Sequence, residues 1–249
     1  MKFAEKISRI INNYESFIDY FLIRKSFIKN KIIRLKNGLV LKVRNKTDLE
    51  IINKIIIDKE YYDKIGKKKS IILDVGAQIG VFSNYISKKY PNSTVYSFEP
   101  MKDNFKLLKE NIELNNNKNV VAINKALFNY SGECYINIDD NNSGGHSLII
   151  KSKKREKIKT ISFDDFIKEN KIKKIELLKL DCEGSEYGIL FKSKKDNIKK
   201  IKTITMEYHD IDNGKSFNEL KKFLKNNDFE IKKMKKNEQT GLITAIRRG

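Results

Sequence analysis

The chain of 249 residues contains two cysteines, two histidines, two prolines and no tryptophan. Cys134 and Cys182 do not form a C-x-x-C pair. With so few histidines beside them, they support neither a disulfide framework nor a structural zinc site. This scarcity is typical of a reducing compartment, so we predict a cytoplasmic protein without a bound metal.

Long apolar runs are also missing. The N-terminal stretch is interrupted by charged side chains, among them Lys6, Arg9, Glu15 and Asp19. A signal peptide or a membrane-spanning helix requires an uninterrupted apolar segment. The sequence therefore predicts neither.

Acidic residues are fewer than basic ones: the chain has 52 Lys and Arg but 32 Asp and Glu, so its net charge is +20. Such an excess can favour binding to nucleic acid, because Lys and Arg side chains that contact phosphates release counterions. Here the basic residues are spread along the whole chain and lie beside no nucleic-acid motif. The abundance of Lys, Asn and Ile instead indicates a skewed nucleotide composition, so a nucleic-acid partner is disfavoured.

Hydrophobic residues make up 39% of the chain, enough for one α/β domain with an N-terminal extension. We predict an extension over residues 1–69 and a main domain over residues 70–249. In the extension, apolar residues at helical spacing predict a helix from Phe3 to Leu22, and Asn37-Gly38 predicts a hairpin over Ile32–Val43. Helical periodicity follows over residues 48–63. The first helix would serve a homodimer contact or a lid; contact with a membrane surface is a weaker alternative.

From Ser70 onward, strand-like and helix-like segments alternate. Such alternation predicts a doubly wound, mostly parallel sheet, here of seven strands with a reversed final strand. The predicted strands are Ser70–Val75, Thr94–Phe98, Val120–Lys125, Ile175–Leu180, Thr203–Glu207, Glu230–Lys235 and Leu242–Arg247. The predicted helices are Val81–Lys89, Asn104–Asn115, Phe163–Glu169, Ser185–Ser193 and Phe217–Asn226. The segments Lys151–Lys157 and Asp139–Ser147 are predicted loops.

A glycine-rich turn follows the first strand of this domain, in Asp74-Val-Gly-Ala-Gln-Ile-Gly80. Its glycines allow the backbone to approach a ligand, and we expect the first N–H groups of the next helix to point at the site. The acid Asp74 would repel a pyrophosphate but suits the cationic amino-acid end of S-adenosylmethionine. Glu99, which ends the next strand before Pro100, stands where a doubly wound fold binds ribose hydroxyls.

Four motifs together resemble FkbM-type S-adenosylmethionine-dependent methyltransferases, over roughly residues 37–207. They are Asp74-Val-Gly-Ala-Gln-Ile-Gly80; Phe98-Glu-Pro100 followed by Asn104 and Leu108; Lys125-Ala-Leu127 with Gly132; and Leu178-Lys-Leu-Asp-Cys-Glu-Gly-Ser-Glu186. One position departs from the family, which usually carries Asn where this chain has Gln78.

The resemblance implies S-adenosyl-L-methionine as cofactor and S-adenosyl-L-homocysteine as product. It places the methionine portion at Asp74, Gly76, Ala77 and Gly80, with Gln78 beside them. It places the ribose at Glu99 next to Pro100, and the adenine near Ala126 and Leu127. Asp181 would lie beside the sulfonium.

Transfer to a hydroxyl oxygen benefits from a general base. The candidates are Asp181, Glu207 and His209, with Glu183 and His146 as further alternatives; His209 is attractive because imidazole titrates near neutral pH. Asp181, Glu183, Glu207 and Asp210 could in principle hold magnesium, but they lack a diagnostic ligand spacing. Glu186 is interpreted as structural.

The resemblance implies O-methylation of a small-molecule or glycan acceptor. Three alternatives remain. An RNA methyltransferase is favoured only by the charge, a nicotinamide-dependent oxidoreductase is disfavoured by the acid in the glycine loop, and a protein that binds the cofactor without transferring the methyl group would share the same fold.

Overall fold

The structure is a computed structural model, and it describes residues 3–25, 30–62, 64–66, 68–137, 155–209, 216–236 and 240–248. The predicted loop Asp139–Ser147, with His146, lies outside these residues, and so does Asp210. In the ranges given, no helix is long and apolar enough to cross a bilayer.

The chain begins with two short helices, α1 (Phe3–Asn13) and α2 (Phe17–Arg24), where the sequence predicted one. The prediction of a single helix was wrong because the chain turns at Tyr14, which forms an isolated bridge with Leu35. Ser16 then starts α2, since its side chain accepts a hydrogen bond from the Asp19 N–H.

The predicted hairpin is present as β1 (Lys31–Arg34) and β2 (Val40–Val43), paired antiparallel. The helix predicted over residues 48–63 is shorter: α3 (Lys46–Ile52) is followed by one π-helical stretch at Asn53–Ile57. Between that stretch and Ile71, the described residues form no further helix.

The main domain contains ten strands and six helices in its described part. The strands are β3 (Ile71–Val75), β4 (Thr94–Phe98), β5 (Val120–Ile123), β6 (Ala126–Phe128), β7 (Gly132–Asn137), β8 (Arg155–Ser162), β9 (Ile175–Leu180), β10 (Ile201–His209), β11 (Phe229–Lys236) and β12 (Thr240–Arg247). The helices are α4 (Val81–Lys89), α5 (Lys102–Leu114), α6 (Phe163–Glu169), α7 (Glu186–Lys192), α8 (Lys195–Ile198) and α9 (Phe217–Asn226).

Seven of these strands form one sheet in the order β11-β12-β10-β9-β3-β4-β5. β12 runs antiparallel to both of its neighbours, whereas the pairs β10·β9, β9·β3, β3·β4 and β4·β5 are parallel. The predicted fold class is therefore confirmed. β9 lies at the centre, and all six of its residues are buried.

A second sheet of three strands, in the order β6-β8-β7, was not predicted. β8 begins with Arg155, inside a lysine-rich stretch that the sequence presented as a loop. Its pairing with β6 and β7 is non-local, so local composition carries little sign of it. This sheet matters for the site because β6 supplies Ala126 and Leu127.

The carboxyl ends of β3 and β9 come very close together. Gly76, directly after β3, has φ of +76°, and a Cβ built on it would lie 1.8 Å from the Asp181 carbonyl oxygen. The Asp181 N–H in turn donates to the Val75 carbonyl at 3.1 Å. A side chain at position 76 would therefore force the two strand ends apart.

We expect Gly76→Ala to lower the free energy of unfolding by at least about 2 kcal/mol, because it combines a left-handed backbone with a backbone clash. Chemical denaturation measures the loss. Gly66→Ala is the matched control, since a Cβ at Gly66 meets nothing within 4 Å and its φ is not left-handed. Equal stability of the two variants would contradict the close approach of β3 and β9.

Candidate functional site

A cavity lies at the carboxyl edge of the parallel strands, where a doubly wound sheet binds its ligands. Its wall includes the ends of β3, β4, β9 and β10, together with residues of the N-terminal extension. Adjacent strands in a sheet are about 4.8 Å apart. Since β4 and β10 are three strand positions apart, the two ends of the cavity are separated by about 14 Å.

The glycine turn keeps its backbone N–H groups inside the protein. The N–H groups of Gly76 and Ala77 both donate to the Phe98 carbonyl, at 3.1 and 2.9 Å. Those of Gln78, Ile79 and Gly80 donate to the Glu99 carboxylate, the Gln78 side chain and the Ala77 carbonyl. A phosphate would need these donors, so the turn is poorly suited to a pyrophosphate.

Asp74 is fully buried and does not line the cavity. One carboxylate oxygen accepts a hydrogen bond from the Lys179 ammonium at 2.9 Å, and the other from the Ser83 hydroxyl at 2.5 Å. In this structure both Asp74 oxygens are thus occupied inside the protein, and contact of this carboxylate with the cationic end of the ligand stays a prediction. Gly80 also lies away from the cavity and packs against Leu108.

Lys179 was not among the predicted site residues. Its ammonium is the cation that pairs with the Asp74 carboxylate. It is 1% exposed, and its ammonium also donates to the Gly76 carbonyl at 3.1 Å. Burial alone would lower the pKa of Lys179, but the Asp74 and Asp181 carboxylates outweigh it and raise the pKa. The ammonium is therefore charged, and its contacts hold the glycine turn in place.

Glu99 lines the cavity at the end of β4 and is almost completely buried. Its carboxylate accepts hydrogen bonds from the N–H groups of Gln78 and Met101, both at 2.9 Å. Burial raises the pKa of Glu99 to about 7, although these hydrogen bonds oppose the rise. Pro100, Ala126 and Leu127 also line the cavity.

Asp181 lines the cavity at the end of β9. One of its oxygens accepts a hydrogen bond from the Tyr61 hydroxyl at 2.7 Å, and the same oxygen lies 3.8 Å from the Lys179 ammonium. Tyr61 comes from the N-terminal extension and was not predicted as a site residue. Nothing local in the sequence marks it, because its partner is 120 positions away.

Glu207 lines the cavity at the end of β10, close to Lys54 of the π-helical stretch. Burial raises its pKa to about 7, and the nearby Asp181 carboxylate adds to the rise, whereas Lys54 opposes it. A carboxylate that titrates near neutral pH can both accept and release a proton under physiological conditions. Glu60 lines the same end of the cavity, and burial likewise raises its pKa.

His209 is buried between two carboxylates and does not line the cavity. Its Nε2 lies 3.3 Å from Glu183 and its Nδ1 lies 3.6 Å from Glu186. Burial lowers the pKa of His209, but these carboxylates outweigh it and raise the pKa to about 11. An imidazole that is protonated at neutral pH cannot accept a proton, so the structure argues against His209 as the base.

The described residues include no group of three or more His, Cys, Asp and Glu side chains arranged to hold a metal ion. The predicted alternatives His146 and Asp210 lie outside those residues.

The wall of the cavity suits S-adenosylmethionine in the chemistry of its groups. The Glu99 carboxylate can accept hydrogen bonds from hydroxyls, apolar Ala126 and Leu127 can cover a flat ring, and the anionic Asp181 can face a cation. Ser185 also lines the cavity, and its buried hydroxyl has no hydrogen-bond partner among the residues that the structure describes. Such a hydroxyl is available to a ligand.

Comparison with known proteins supports the same cofactor. The model of the family described as "Methyltransferase FkbM domain" matches residues 74–231. "Methyltransferase 1" of Beauveria bassiana is 29% identical over 167 residues, which cover 58% of this chain and 67% of that protein. "Methyltransferase sdnD" of Sordaria araneosa is 25% identical over 196 residues, 66% of this chain and 76% of that protein.

Among solved structures, the fibrillarin pre-rRNA processing protein of Methanococcus jannaschii has the same fold. The match has a TM-score of 0.50 at 17% identity and covers 88% of this chain and 83% of the other.

We expect the affinity for S-adenosylhomocysteine to weaken as the pH falls through about 7, by up to tenfold per pH unit. The reason is that the hydroxyls of a ribose bound at Glu99, as the resemblance implies, would donate to its ionised form. Calorimetric titration between about pH 5.5 and 8 measures the dependence. Glu99→Gln should bind at least about tenfold more weakly near pH 8 and show a flat profile.

Glu207→Gln is the control for this titration, since Glu207 has a similar pKa but lies at the other end of the cavity. It should keep the pH dependence of the unsubstituted protein. If the dependence disappears in Glu207→Gln and persists in Glu99→Gln, the assignment of Glu99 to the ribose is wrong.

Proposed function

Because the chain belongs to the FkbM methyltransferase domain family and is thus an S-adenosylmethionine-dependent methyltransferase, we propose that it methylates a hydroxyl oxygen of a sugar, a glycan or another small metabolite. The observation that carries the oxygen assignment is Glu207, a carboxylate with a pKa of about 7 in the cavity wall. A hydroxyl is a poor nucleophile until its proton is removed, and Glu207 can remove it.

The order of the strands supports a position for the acceptor at the β10 end of the cavity. Glu99 marks the ribose end on β4, and Asp181 on β9 lies between Glu99 and Glu207. Bound S-adenosylmethionine would supply the methyl group as a sulfonium. Asp181 would face that positive charge, while Glu207, one strand further, would accept the hydroxyl proton. The remaining contribution of the protein is to hold the acceptor oxygen and the methyl carbon in line.

Lys54 and Glu60 add charged groups of both signs to the acceptor end. The positive charge of Lys54 favours the ionised form of Glu207 and therefore its service as a base. Ile51 and Ile55 lie nearby in the wall, so polar and apolar groups alternate there. Such a mixed surface fits a sugar or a small metabolite, which presents both hydroxyls and apolar faces.

The distribution of charge favours a small acceptor over RNA. The ionisable groups at the acceptor end are mainly acidic, namely Glu60, Asp181 and Glu207 against Lys54. A groove lined by six lysines does exist, but it lies at the amino-terminal edge of the sheet, beside Ser70 and Thr94. An RNA held there would bind at the edge opposite the transferable methyl group.

We expect Glu207→Gln to lower kcat about a hundredfold and to leave the dissociation constant of S-adenosylhomocysteine within about twofold. In the unsubstituted protein kcat should rise with pH through about 7 and then level off, because only ionised Glu207 accepts the proton. Rates are measured as transfer of a labelled methyl group. Glu113→Gln, on the exposed surface of α5, is the control.

The acceptor itself is identified by incubating the protein and labelled S-adenosylmethionine with fractionated glycans, small metabolites and RNA. Label in a hydroxyl of the first two fractions supports the proposal. Label in RNA, or binding of the cofactor with no transfer to any fraction, would overturn it. Thermal stabilisation by NAD without stabilisation by S-adenosylhomocysteine would contradict the cofactor.

A further inference from the structure

We propose that the segment from Arg44 to Tyr61, which precedes the family match, clamps the cofactor site: Asp48 positions Glu99, and Tyr61 positions Asp181. Asp48 does not line the cavity, whereas Tyr61 is part of its wall. Both are positioning residues, since each acts through hydrogen bonds to groups in the cavity wall. The inference concerns the cofactor and holds for any acceptor.

The first half of the clamp begins with a buried ion pair. Asp48 is fully buried and accepts hydrogen bonds from the Arg44 side chain at 2.9 and 3.1 Å and from the Arg44 N–H at 2.7 Å. The Asn45 side chain caps the same turn by accepting from the Asp48 N–H at 3.3 Å. These hydrogen bonds hold the Asp48 carboxylate in one orientation.

From this pair, hydrogen bonds run to Glu99 by two routes. Asp48 accepts from the Gln78 side-chain amide at 3.0 Å, and the Gln78 N–H donates to Glu99 at 2.9 Å. On the other side, Arg44 donates to the Asn104 side chain at 2.8 Å, and the Asn104 amide approaches Glu99 at 3.5 Å. The five residues close a ring, with Gln78 joined to Glu99 through its backbone N–H, so the carboxylate proposed to face the ribose is held from the N-terminal extension.

This ring explains why the chain carries Gln78 where the resembling family usually has Asn. Gln78 has φ of +51°, a left-handed conformation that Asn adopts more readily than Gln. An Asn side chain is one methylene shorter, by about 1.5 Å, and would not reach Asp48 from the same backbone. The longer Gln78 side chain therefore gains a hydrogen bond to Asp48, although Gln adopts this backbone conformation less readily.

The second half of the clamp is Tyr61. Its hydroxyl donates to Asp181 at 2.7 Å, and its buried ring lies over the Lys179 ammonium with a centroid distance of 5.1 Å. The edge-to-face contact with Phe82, at 6.0 Å, fixes the ring. One Asp181 carboxylate oxygen thus accepts the hydrogen bond from Tyr61. This contact fixes the direction in which the other oxygen points.

The test compares Asp48→Asn and Tyr61→Phe with Glu110→Gln. The control breaks the Lys42–Glu110 pair, which joins the same extension to α5 without facing the cavity. We expect Asp48→Asn and Tyr61→Phe to raise the dissociation constant of S-adenosylhomocysteine about tenfold and to change kcat at saturating cofactor by no more than about twofold. Glu110→Gln should leave both values unchanged.

Two further measurements separate positioning from general stability. In the ligand-free protein, Asp48→Asn should speed hydrogen exchange at the Gln78 amide, while amides in β10 keep their protection. Gln78→Asn should also weaken binding, and the double variant should be no weaker than Asp48→Asn alone, because Asp48→Asn already breaks the link through Gln78.

The proposal is overturned if the effects of Asp48→Asn and Gln78→Asn simply add, or if Glu110→Gln weakens binding equally. It is also overturned if Tyr61→Phe, which removes only a hydroxyl, binds the cofactor normally. Should Asp48→Asn fail to fold, Gln78→Asn and Tyr61→Phe still decide between these outcomes. Failure to find a methyl acceptor would bear on the proposed function and leave this result unchanged.

Discussion

The interaction on which the rest of the site depends is the buried ion pair between Lys179 and Asp74. The two residues are register partners on the central strands β9 and β3, and their atoms meet at 2.9 Å with almost no exposure to solvent. Burying either charge alone would cost several kcal/mol, and removing one partner of such a pair typically destabilises a protein by about 3–5 kcal/mol. The same ammonium binds the Gly76 carbonyl, so the ion pair fixes the turn that begins the cavity.

The acidic side chains at this edge of the sheet differ in their partners. Asp74 accepts hydrogen bonds from Lys179 and Ser83 inside the fold, and Glu183 and Glu186 lie beside His209. Glu99, Asp181 and Glu207 line the cavity, as does Glu183, and burial raises the pKa of Glu99 and of Glu207 to about 7. Side chains of one chemical type thus differ in role according to their burial and to the partners that they already have.

These differences in partners also limited what could be predicted from the sequence. The strands, the reversed final strand and the turn after β3 follow from local periodicity and glycine spacing, and the structure confirms them. The direction of a carboxylate depends on partners far along the chain: Asp74 and Lys179 are 105 positions apart, Tyr61 and Asp181 are 120 apart. Likewise β8 is paired only by non-local contacts. Sequence reasoning therefore found the edge of the sheet, whereas the partners of Asp74 and His209 are visible only in the fold.

The family match begins at Asp74, yet one wall of the cavity comes from residues that precede it. Lys54 and Glu60 lie at the proposed acceptor end, and Asp48 and Tyr61 are the proposed positioning residues of the cofactor site. The family motifs are therefore informative about the methyl donor, which would contact the shared strand ends. They are much less informative about the acceptor, because part of its proposed binding surface comes from a segment outside them. It follows that relatives with the same motifs and a different N-terminal extension would share the cofactor without sharing the acceptor.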